Sequence, residues 1–128
     1  MTNKGYQELL VWQRALALSE STYRVSARLP QREEYGLTSQ MRRAAVAISA
    51  NIAEGQGRRT SGAFLNHLSI ARGSLQELET HVILASKLEY IQPQEKELLL
   101  TQTADVGRLL NGLMNALRRS QQATPTDN

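Results

Sequence analysis

The sequence predicts an all-α protein, an antiparallel up-and-down four-helix bundle, on three observations. Leucine and alanine dominate a composition with one Trp, one Phe and four Tyr, which suits packed helices better than layered strands. Four stretches repeat apolar residues at spacings of three and four, the period that lines up one face of a helix. The links between them are short and marked by Pro or Gly, the kind that joins antiparallel neighbours in a bundle. At 128 residues the chain is long enough for one core and too short for two, so a single domain is expected over residues 1–128, with flexible tails at about 1–6 and 121–128.

In the first stretch, Val11, Ala15, Leu18, Thr22, Val25 and Leu29 step by four and three, and Trp12, Leu16, Ser19 and Tyr23 run beside them as a second stripe. The buried face of this helix is therefore expected to be wide. Pro30 and the polar run QREEYG break the pattern. The second helix carries Leu37, Met41, Ala44, Ile48 and Ile52 on one face, while Ala45, Ala47, Ser49, Ala50 and Ala53 keep the rest of its surface thin, so it is expected at the centre. Gly55 and Gly57 read as its stop. Thr60 or Ser61 can cap the third helix, where Phe64, Leu68, Ala71, Leu75, Leu78, Val82 and Ala85 alternate four and three without a gap, as in a coiled coil. Near Tyr90 the pattern ends, and Gln92, Pro93 and Glu95 look like the cap, first-turn proline and first-turn acid of a fourth helix. Leu99, Thr103, Val106, Leu110, Leu113 and Leu117 form its stripe. Each helix is expected to run roughly five to seven turns. The expected core includes Trp12, Leu16, Ile48, Phe64, Leu68, Leu75, Leu110 and Leu113.

Little in the chain points to catalysis. With no cysteine, disulfides, zinc-thiolate sites and thiol chemistry are excluded. The histidines lack the Glu-x-x-His spacing of di-iron bundles: Leu78 lies three before His81, and Phe64 three before His67. Glu77 and His81 share a helix face, which fits a solvated pair better than a metal ligand set. No serine stands in a nucleophile elbow, and GQGRR follows a helix and lacks the strand, spacing and lysine of a phosphate-binding loop. No catalytic residue, metal or cofactor is expected, and the chain reads as a non-enzyme. The start MTNKGYQELL has no apolar h-region and no long apolar run follows, so neither export nor membrane insertion is expected and the cytoplasm is the default location.

The charge is more suggestive. The formal net charge is +3, and twelve of the fifteen basic residues are arginine, the side chain suited to bidentate phosphate contacts. Arg42, Arg43, Arg58, Arg59 and Arg72 form a local excess against Glu54 alone, and Arg108, Arg118 and Arg119 add a basic face on the last helix. These eight are the candidate nucleic-acid contacts. Glu54 sits in the last turn of its helix, where the dipole disfavours an acid, so an ion pair with Arg58 is expected. Asn51, one turn earlier, joins it as a structural polar contact rather than a catalytic group.

The run EYGLTSQMRRAAVAISANIAEGQGR resembles the 23S rRNA intervening-sequence family of four-helix bundle proteins. The motifs that carry this are VWQRA at Val11–Ala15, YGL at Tyr35–Leu37, QMRRA at Gln40–Ala44, NIAEG at Asn51–Gly55 and ARGS at Ala71–Ser74. That family is similar to the accessory variability proteins of diversity-generating retroelements, which form ring-like homopentamers with a basic surface. The resemblance implies a non-enzymatic, homo-oligomeric module, a pentamer, with RNA or DNA and a reverse transcriptase as partners. It transfers no catalytic residue. The alternative is a protein-interaction scaffold whose arginines serve subunit or partner contacts. Self-association is expected from spacing as well: Ile70, Leu84 and Leu88 fall off the core stripe of the third helix onto another side, beside Gly73, where a second backbone can approach.

Overall fold

A computed structural model describes residues 5–123. Four helices make up the bundle: α1 (Leu10–Ser26), α2 (Leu37–Gln56), α3 (Ser61–Lys87) and α4 (Pro93–Ala123). Among the described residues there is no strand. Each helix packs on its neighbour in sequence, and α4 closes the ring on α1. The most extensive interface lies between α2 and α3. That is the antiparallel up-and-down bundle expected from the spacing.

The helices are less uniform than their stripes suggest, because α1 has 17 residues while α4 has 31. Of the flexible tail expected over 1–6, residues 5 and 6 instead lie in a 3-10 turn, Gly5–Glu8. There Tyr6 meets Trp12 edge to face with ring centroids 5.2 Å apart. At the other end α4 continues through residues 121–123; the remaining tail positions, 1–4 and 124–128, lie outside the described residues.

The inward faces follow the periodicity. Val11, Ala15, Leu18, Val25, Met41, Ile48, Ile52, Leu68, Leu75, Leu78, Val82, Leu99 and Leu110 are buried in one core. Buried hydroxyls find partners close by: Thr22 Oγ1 donates to Leu18 O at 2.8 Å, Thr103 Oγ1 to Leu100 O at 2.8 Å, and Ser19 Oγ across to Ala45 O at 3.0 Å. The second stripe of α1 departs from expectation. Leu16 is 42% exposed and Tyr23 45%; α2 reaches this flank where Ser19 Oγ meets Ala45 O and where Arg42 lies over the Tyr23 ring. Trp12, Phe64 and Leu113 are half-buried and pack against the edge of the core rather than inside it. In the last turns of α4 the inward position passes to Met114, four residues after Leu110, leaving Leu113 and Leu117 at the rim.

Helix ends match their chemistry, with one correction. Thr60 rather than Ser61 is the cap of α3, its hydroxyl accepting from Ala63 N at 3.1 Å. Pro93 opens α4, and Glu95 Oε1 accepts from Gln92 N at 2.7 Å, as in a capping box. Gly55 is not a stop. It is buried inside α2 where the helix meets α3, and a Cβ there would stand 2.7 Å from His67 Cβ and 2.9 Å from Phe64 Cδ1. Gly57 alone ends the helix. The end of α3 is a Schellman turn, with Tyr90 N donating to Ala85 O and Glu89 N to Ser86 O, both at 2.9 Å. Its left-handed position is held by Glu89, at a φ of 62°.

Candidate nucleic-acid interface

The eight arginines proposed as phosphate contacts divide by what already holds them. Arg42 is bound to α1: its Nε donates to Ser26 Oγ at 2.8 Å, Nη2 to Tyr23 O at 3.3 Å, and the guanidinium lies 4.6 Å from the centre of the Tyr23 ring. Arg72 donates across to Asn111 Oδ1 on α4 at 3.1 Å, and Arg108 to Asp105 Oδ1 at 2.7 Å. The same Asp105 also pairs with Arg14 of α1. Arg118 makes a long contact, 3.5 Å, to Asn115 Oδ1. Arg43, Arg59 and Arg119 are exposed and have neither a hydrogen bond nor an ion pair among the described residues.

Arg58 belongs to a polar cluster at the end of α2. Its Nη2 is 3.5 Å from Glu54 Oε2, the ion pair expected from their spacing, and its Nε donates to His67 Nε2 at 3.2 Å. An arginine only donates, so Nε2 must offer its lone pair and the ring hydrogen sits on Nδ1. Nδ1 lies 3.2 Å from Asn51 Oδ1, which takes that hydrogen. Asn51 also donates to Ala47 O at 2.9 Å. Asn51, Glu54 and Arg58 therefore tie the end of α2 to α3 through His67, a histidine whose part in this cluster sequence spacing did not suggest. With Glu54 largely exposed, the ion pair itself contributes little.

The arginines occupy two regions. Arg58 and Arg59 lie in the α2–α3 link, and Arg118 and Arg119 on the last turns of α4 come to the same end of the bundle, since a Cβ built on Gly62, at the start of α3, would stand 3.9 Å from Gln121 Nε2. Arg42 and Arg43 lie roughly 22 Å away along α2 at 1.5 Å per residue. Arg72 and Arg108 sit between the two. Near Arg43 the outer face of α2 carries an open groove of about 640 Å³, lined in part by Tyr23 and Tyr35. Neither tyrosine stood among the candidates. The signal for Tyr35 was present as a lone aromatic in an otherwise polar link.

Among the described residues no group of three or more His, Asp or Glu is placed to hold a metal, and no helix is long and apolar enough to cross a membrane. His81 and Glu77 meet at 3.4 Å as an isolated pair.

A family model described as 23S rRNA-intervening sequence protein matches residues 7–112. The chain belongs to that family. Among solved structures it is similar to a protein of unknown function from the S23 ribosomal protein family of Bacteroides thetaiotaomicron, at 24% identity and a TM-score of 0.77. The match covers 82% of this chain and 98% of that one, and it shows a common fold. No curated protein matches.

Proposed function

We propose that the chain is a non-enzymatic, homo-oligomeric accessory bundle that binds RNA or DNA through exposed arginines, contacting phosphates without reading bases. The observation that supports this reading is the unequal use of its arginines. Arg14, Arg28 and Arg108 are engaged by carboxylates, whereas Arg59 and Arg119, beside Arg58 and Arg118, leave one end of the bundle with more cations than the acids there, Glu54 and Glu8 of the 3-10 turn, can match. Family membership agrees with RNA as the class of partner, since the family is named for the 23S rRNA intervening sequence.

Fluorescence anisotropy against labelled RNA and DNA tests the reading. Log affinity should fall with log salt at a slope of about −0.9 per duplex phosphate contacted, or about −0.7 for single strands. Reversing Arg59 and Arg119 to Glu should weaken binding to every sequence alike and flatten that slope. Absence of binding to either polymer at low salt would leave the scaffold alternative, with a partner such as a reverse transcriptase.

Self-association is proposed through the outer side of α3, where Ile70, Leu84 and Leu88 are 47%, 44% and 47% exposed along one line. Gly73 on that side has nothing within 4 Å of a built Cβ, so a second backbone has room there. The number five rests on resemblance to the retroelement accessory proteins. Light scattering at micromolar concentration decides: a monomer mass ends the idea, and a dimer or tetramer keeps the interface and discards the pentamer.

A further inference from the structure

Tyr35 is 93% exposed, the most exposed large apolar side chain of the described residues. A ring that exposed has its faces free to stack on a planar partner. It stands in the link before α2 and lines the open groove with Tyr23, Arg42 and Arg43. One face of the Tyr23 ring is covered by the Arg42 guanidinium, which is itself fixed by Ser26 and the Tyr23 carbonyl. Arg43 points into the same region with no partner among the described residues. Glu34 is the one acid of the lining, against two guanidiniums. The groove thus combines a free aromatic face with net positive charge.

Those two properties select among nucleic acids. A duplex keeps its bases stacked on each other and offers a protein only phosphates, sugars and groove edges, none of which uses a free ring face. An unpaired strand offers base faces, and aromatic side chains beside cations are how proteins without sequence preference hold it. We infer that the α1–α2 groove binds single-stranded nucleic acid, with an unpaired base stacked on Tyr35 and its flanking phosphate on Arg43. The inference rests on the proposed function and adds to it the strand form and a second site, away from the arginine-rich end. Arg42 is a positioning residue here: its guanidinium fixes the Tyr23 ring that walls the groove.

The test compares a labelled oligoadenylate with a duplex RNA of equal length, using the full chain and its Tyr35→Ala, Tyr35→Trp and Arg43→Gln variants. Tyr35→Ala should lower affinity for the single strand by roughly 5- to 150-fold, the loss of one base–aromatic stack, and leave the duplex unchanged. Tyr35→Trp should keep the single-strand affinity, and its added indole emission should be quenched as oligoadenylate binds and not as duplex binds. Arg43→Gln should weaken single-strand binding and lower its salt slope. Wild-type binding to both polymers with no effect of Tyr35→Ala, or an equal loss on both, overturns the groove and leaves the proposed function standing. No binding of wild-type protein to either polymer overturns both. A fall in oligomer mass for Tyr35→Ala by light scattering assigns the ring to a contact between copies and likewise overturns the inference.

Discussion

Replacing Gly55 by alanine tests the close approach of α2 to α3. The added Cβ would lie 2.7 Å from His67 Cβ, 2.9 Å from Phe64 Cδ1 and 3.3 Å from Phe64 O, whereas carbon atoms in ordinary contact stand about 3.5–4.0 Å apart. The Phe64 ring can turn aside. The His67 Cβ and the Phe64 carbonyl cannot, because both are fixed to the α3 framework, so α2 and α3 must part by about 1 Å along their most extensive interface. Overpacking of this kind costs about 1–3 kcal/mol. Against it stands the helix preference of alanine over glycine, about 1 kcal/mol in a helix interior and less in the last turn where Gly55 lies. The net loss is about 1–2 kcal/mol, or roughly 4–8 °C in Tm for a domain of this size. Gly112→Ala is the reference, since it makes the same chemical change in α4 with nothing within 4 Å. It should gain about 1 kcal/mol and melt a few degrees higher. Far-UV circular dichroism melts of the two variants give the answer, and a Gly55→Ala protein that melts as high as Gly112→Ala would refute the close packing of α2 on α3.

Three further pairs of substitutions check the remaining assignments. Leu68→Ala, fully buried, should lose about 2–5 kcal/mol in urea unfolding, whereas Leu16→Ala should stay within about 0.5 kcal/mol; similar losses at both would return Leu16 to the core. Glu89→Gly should raise stability by about 1 kcal/mol because a side-chain-bearing residue in the left-handed region is strained, and Glu89→Ala, which keeps that strain, should not. Thr60→Ala should remove the cap of α3 and lower Tm by a few degrees, an effect of about 1 kcal/mol that Ser61→Ala should not reproduce.

The stripes of α2 and α3 were legible because these two helices share the most extensive interface, so that nearly every residue in phase with the period is buried. The second stripe of α1 has the same period, yet only Ser19 of it is buried, and periodicity does not report what lies opposite. Gly55 was misread for a related reason: a glycine near the end of an apolar run signals termination in sequence, while its closeness to His67 depends on a helix not yet paired. The arginines were legible as residues and not as free or bound groups. Arg14 finds Asp105 at a separation of 91 residues, and Arg42 finds Ser26 at 16. By contrast the Glu54–Arg58 and Glu77–His81 contacts, set by one turn of helix, were readable in advance.

The pairing of each helix with its sequence neighbour also orders how the bundle assembles and opens. Joining α2 to α3 across the contact of Asn51 and His67 closes a loop of 16 residues, whereas seating α4 on α1 through Arg14 and Asp105 closes one of 91. For flexible chains the longer closure costs about 1.5 kcal/mol more in entropy. The α2–α3 hairpin also holds the largest interface, so its amides should exchange with solvent last and those of α1 earlier. Arg58 and Arg59 sit in the turn of this hairpin, while Arg118 and Arg119 depend on the end of α4. Partial opening of the molecule therefore separates the two halves of its basic end before it disturbs the first.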